Sequence, residues 1–122
     1  MVGARGEGFL ELDGERYVIL FTLRALADAE RLTGKSVMTL MTAAQRGDLF
    51  IGDLASLVVV GLEAARREHR DRPRGYDAND AWRLLEGVGF TAVMVVVLEA
   101  LVSIMSFTRE AAPMEKPSDP PA

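Results

Sequence analysis

Apolar and polar residues alternate in two short runs near the start of the chain. Phe9 to Asp13 reads FLELD, which puts Phe9, Glu11 and Asp13 on one face of a strand and Leu10 and Leu12 on the other. Gly14-Glu15 comes next, then RYVILFT from Arg16 to Thr22. Two β-prone runs around Asp13-Gly14 predict a hairpin. A lone hairpin is marginal in water, so its apolar face must pack on the rest of the chain.

The period then lengthens to that of a helix. Thr22 is placed to cap a helix from Leu23 to Thr33, and Gly34 supplies a left-handed stop. Its stripe collects Leu23, Leu26, Ala27 and Ala29, with the acid Glu30 out of place at the edge. Ser36 is placed to cap a second helix, Val37 to Arg46, ended by Gly47. Val37, Leu40, Met41 and Ala44 recur there at i, i+3, i+4 and i+7. Phe50 and Ile51 are expected to plug the core from a loop. Gly52-Asp53 opens a third helix, Leu54 to His69. Its first half is apolar on nearly every side (Leu54, Leu57, Val58, Val59, Val60, Leu62), and the chain then turns charged (Glu63, Arg66, Arg67, Glu68, Arg70). Pro73 and Gly75 break the pattern. Asp77 caps a short fourth helix, Ala78 to Glu86, with Asp80 as the acidic partner of a capping box and Trp82 and Leu85 as apolar anchors.

After Gly87 and Gly89 comes the last helix, Phe90 to Phe107. The stretch Gly87 to Phe107, GVGFTAVMVVVLEALVSIMSF, approaches the length of about 20 apolar residues that a bilayer span needs. Glu99 near its middle is expensive in lipid, and no Lys/Arg excess flanks one side. A buried helix of a soluble domain is therefore expected, with a membrane-associated segment at 87–107 as the alternative. From Thr108 the composition changes: TREAAPMEKPSDPPA holds four of the five prolines and almost no large apolar residue. The expected organisation is one domain over 1–107 and a disordered Pro-rich tail over 108–122. The fold class is α+β, an N-terminal β-hairpin packed on a mostly helical bundle of about five helices.

Composition narrows the chemistry more than the fold. With 49% apolar and 26% charged residues in 122, the chain is long enough to bury roughly two-thirds of its unfolded surface in one core. It has no cysteine, which removes disulfides, thiolate metal sites and cysteine nucleophiles together. Its single histidine, His69, excludes a multi-histidine metal site within one chain. The net charge of −4 argues against a whole-surface nucleic-acid binder. Twelve of the fourteen basic residues are arginine, which reads as a base-composition bias of the genome and not as chemistry. Met1 to Gly8 carries Arg5 but no apolar run comes after it, so a secretory signal is not expected.

Each residue with candidate chemistry has a plainer explanation beside it. Gly3, Gly6 and Gly8 lack the strand-to-helix context and the lysine of a phosphate loop. Glu11, Asp13 and Glu15 cluster at the hairpin but read as a solvated face. His69 would need carboxylates to complete a metal site, and a surface histidine favoured by a helix C-terminus explains it better. Arg66, Arg67, Arg70, Arg72 and Arg74 form the only basic patch. Only Tyr76 lies near enough for base stacking, so a solvated helix end or a dock for an acidic partner fits better than nucleic acid. Glu99 has the chemistry of a tuned acid, but pairing with an arginine or a place at a helix–helix or subunit contact accounts for it more simply. Trp82 reads as a core or interface anchor. No catalytic constellation, cofactor site or metal site is expected.

The order of these signals carries a resemblance that no single residue does. Leu12, Asp13 and Gly14 in the hairpin, Leu26 and Glu30 in the first helix, the Thr33-Gly34 stop, and Leu54, Gly61 and Leu62 form a series. A small Trp-bearing helix, a long Ala/Val/Leu helix and a polar tail complete it. The chain from Leu10 to Phe107 thus resembles the small tail-assembly proteins of siphophages and gene transfer agents, grouped as the gene-transfer-agent tail protein family and the phage tail assembly chaperones. The resemblance implies a non-enzymatic assembly factor in the host-cell cytoplasm. Its partners would be the tape measure protein and the tail tube protein, and a homo-oligomer is also compatible. Some labels in this family name tail tube components instead. Tube subunits are usually β-rich, whereas one hairpin stands here against five helices. The arginine-rich loop has no role in that pattern. The residues expected to meet a partner are Trp82, Val93, Val96, Val97, Glu99 and Leu101, with Arg66 and Arg70 at the basic end.

Overall fold

The computed structural model describes residues 5–70 and 72–111, with side chains through Ser106. Gly3, Asp71 and the segment 112–122, most of the expected tail, lie outside the described residues. Among those described, the chain forms an antiparallel pair of strands, β1 (Glu7–Leu12) and β2 (Glu15–Leu20). Five helices come after them: α1 (Leu23–Thr33), α2 (Val37–Arg46), α3 (Ile51–His69), α4 (Ala78–Val88) and α5 (Phe90–Ala111). This is the expected α+β arrangement.

The hairpin register pairs Leu12 with Glu15, leaving Asp13 and Gly14 as a two-residue turn. Both adopt positive φ, 54° and 77°, the conformation that matches the twist of the flanking strands. Alternation along β2 and the residue beyond it sends Tyr17, Ile19 and Phe21 into the core. That face lies on α3, where Gly61 allows the close approach: a Cβ at Gly61 would come within 2.8 Å of the Ile19 Cβ. On the other side β1 packs against α5.

α1 and α2 begin and end where their caps place them. The Thr22 hydroxyl accepts from the Ala25 N–H at 3.0 Å, and the Ser36 hydroxyl accepts from the Thr39 N–H at 3.1 Å. Glu30 is explained here. Its carboxylate accepts the Val37 N–H at 2.9 Å, a first-turn donor of α2 that the helix itself leaves unsatisfied. The buried face of α1 differs from the expected stripe. Ala25, Leu26 and Ala29 are buried, whereas Leu23 and Ala27 are exposed. The two alanines let α1 lie close on α3 and turn Leu23 outward.

Three further expectations are corrected. Phe50 and Ile51 do not plug the core; they are 66% and 57% exposed, and Leu49 is the residue buried there. α3 starts at Ile51, earlier than Gly52-Asp53 suggested, because Phe50 occupies the cap position without any side-chain hydrogen bond. Trp82 is 39% exposed, and Ala81 and Leu84 join the expected Leu85 as the anchors of α4. The Asp77–Asp80 capping box forms as expected.

The stretch from Gly87 to Phe107 is not one rod. The path bends by 114° from α4 to α5 at Gly89. No single helix among the described residues is long and apolar enough to cross a membrane. α5 continues past Phe107 to Ala111.

Candidate interaction surface

The basic loop after α3 is organised around one acid. Glu63 pairs with Arg66 at 2.9 Å, and its other oxygen accepts the Tyr76 N–H across the loop. The hydrogen bond from Arg66 is the main reason the Glu63 carboxyl lies below its ordinary value. Partial burial opposes this, and the Tyr76 N–H adds to it. Arg72 stacks at 4.0 Å on the Tyr76 ring and donates through Nε to the Arg74 carbonyl at 2.8 Å. Arg70 closes α3 in the left-handed region at φ 53°, its N–H donating to the Arg66 carbonyl. Arg66, Arg70 and Arg72 thus shape the turn from α3 towards α4. Arg67, Arg70 and Arg74 remain exposed. The His69 Nε2 lies 3.6 Å from Glu7, at the end of α3 nearest β1.

A second cluster joins the α1–α2 corner to the start of α3. Lys35 lies 2.6 Å from Asp53 and 3.8 Å above the Phe50 ring. Beside it an open groove of about 400 Å3 runs along α2 and the loop to α3, lined by Met38, Thr42, Arg46 and Asp48 among others. Among the described residues no group of three or more His, Asp or Glu side chains is placed to hold a metal ion.

The residues expected to meet a partner do not share one surface. Val93, Val97 and Leu101, expected at a contact, are fully enclosed. β1, α2, α3 and α4 all pack on α5, and these are side chains they cover. Val96 is half-buried beside Gly8 of β1. Glu99 is exposed, with neither an ion pair nor a hydrogen bond to any described residue. Trp82 is partly open on α4, and Arg66 is held by Glu63. Sequence reasoning missed Val95 and Val102, 47% and 38% exposed on the outward side of α5. Their spacing from Glu99, four residues before it and three after, was the available signal. It also missed Met38 beside the α2 groove.

A family model described as phage tail tube protein, GTA-gp10, matches residues 5–105. No curated protein and no solved structure matches the chain.

Proposed function

The chain belongs to the phage tail tube protein family GTA-gp10, and from that premise we propose that it is a non-enzymatic tail assembly chaperone. In this reading it binds the tape measure protein and aids assembly of the tail tube around it, in the cytoplasm of the host cell. The observation that carries the reading is the amount of large apolar side chain left outside the core: Leu23, Leu32, Met38, Phe50, Ile51, Val95 and Val102. A tape measure protein is long and helical and exposes apolar stripes, which a small helical protein can cover by helix packing. The net charge of −4 keeps such a complex soluble.

The test is co-expression with the long helical protein encoded nearest downstream. The expected result is that the two co-purify and that the long protein is soluble only when this chain is present. A long protein that stays insoluble while this chain elutes alone would overturn the reading.

A second reading, a structural component retained in the tail, is favoured by the family's own description. Against it stands the sheet, which among the described residues has only two strands of six residues each. Mass spectrometry of purified particles separates the two, since a tube subunit must be present in stoichiometric amount and a chaperone absent.

A further inference from the structure

α5 carries two seams on opposite sides. Val93, Val97, Ala100 and Leu101 face inward and are fully buried. Ala92, Val95, Glu99, Val102 and Ser106 are all exposed and recur at alternating intervals of three and four. At 3.6 residues per turn these five fall in one narrow stripe about 20 Å long. Met94, Leu98 and Met105, half-buried, border it along one flank and supply adaptable apolar surface. This is the spacing of a coiled-coil seam, in which a single polar residue selects the partner and the register.

The position of Glu99 decides which partner. It is the only charged residue between Phe90 and Thr108, and no described residue pairs with it. A second copy of this chain laid on the seam, parallel in register or antiparallel about its centre, sets Glu99 against Glu99. Two acids desolvated in an apolar seam repel, so self-pairing is disfavoured. A helix that offers lysine or arginine at that level satisfies the acid instead.

We propose that the outer face of α5 docks an amphipathic helix of another protein. That helix carries apolar residues at three–four spacing and one basic residue opposite Glu99, and Glu99 prevents self-association through the same seam. The proposal rests on the chaperone reading only for which protein supplies the helix.

Two measurements on the full chain test it. Because the chain has no cysteine, single-cysteine variants report contacts cleanly. Val95→Cys, which keeps the acid, is expected to stay monomeric under oxidation, while Glu99→Cys, which removes it at the one position that meets itself in either orientation, gives a disulfide-linked dimer. Equal dimer yields in the two, or none in either, would overturn the seam. In the co-expression experiment Glu99→Lys should lower recovery of the long partner about tenfold or more. Glu99→Gln should lower it less, and Glu86→Lys on exposed α4 surface should leave it unchanged. Undiminished recovery with Glu99→Lys would overturn the proposal while the chaperone reading stands. If the wild-type chain holds no partner, the chaperone reading fails and the oxidation measurement still decides the seam. Circular dichroism of each variant establishes that it is folded.

Discussion

The two sides of α5 share valine and alanine, and although only the outer side also carries Glu99 and Ser106, the valines they share meet opposite fates. Val93, Val97, Ala100 and Leu101 are enclosed, while Ala92, Val95 and Val102 stand in the open. Hydrophobicity does not separate them. What separates them is the rest of the fold, which packs β1, α2, α3 and α4 on one side of the helix and places nothing described on the other. An apolar residue is permitted in a core, and only a complementary surface puts it there.

The strongest way to break this comparison is a charge on each side. Val97→Asp should cost several kcal/mol, enough to prevent folding, because a buried unpaired carboxylate has no compensation. Val95→Asp should stay within about 0.5 kcal/mol of wild type in urea denaturation. Val96→Asp, half-buried against β1, should fall between them. Similar losses at Val95 and Val97 would mean that the outer side is covered after all. A smaller effect sharpens the enclosed side. Gly61→Ala forces a methyl into the space that Ile19 fills and should cost about 1–3 kcal/mol. Ala92→Leu on the open side should be nearly neutral in the same urea denaturation. At the α1–α2 corner, Glu30→Ala removes an acceptor from the Val37 N–H and should cost about 1 kcal/mol.

The smallest effect concerns Glu63. Its folded-state value is lowered, so its contribution is present in full above the ordinary unfolded value of a glutamate. That contribution is lost as the pH falls through the lower, folded value. Acid melts should therefore show a loss of about 1 kcal/mol or less at the α3–α4 loop. Glu63→Gln should remove that acid-side loss together with the contribution itself.

Much of the fold is legible in the sequence because local chemistry and the global arrangement agree. Asp13-Gly14 announces the hairpin, and Thr22, Gly34, Ser36 and Gly47 mark both ends of α1 and α2. The start of α3 is not legible, since Phe50 caps it with no polar side chain and the Gly52-Asp53 pair points further along. α5 is legible as a helix but not in its facing. Its run of valines fills every side, so the valines alone do not assign Val93 inward and Val95 outward, and only the three–four spacing of Val95 and Val102 from Glu99 marks the outer side. Glu30 and Glu99 both stand out as acids in apolar stripes, but only the packing separates a capping acid from an unpartnered one. The arginine-rich loop has no meaning in the sequence because its organiser, Glu63, reaches Tyr76 across thirteen positions.

The bond from Glu30 to Val37 also governs how this corner opens. An isolated helix surrenders its first amides to water, and they exchange their hydrogens quickly. Here the Val37 amide is sheltered by a side chain of the preceding helix, and the Gly34 amide by the Glu30 carbonyl. One residue thus fastens the end of α1 and the beginning of α2. The α2 terminus cannot fray without breaking a bond to α1. In a deuterium exchange time course the two helices should lose protection together, as one unit and not in sequence.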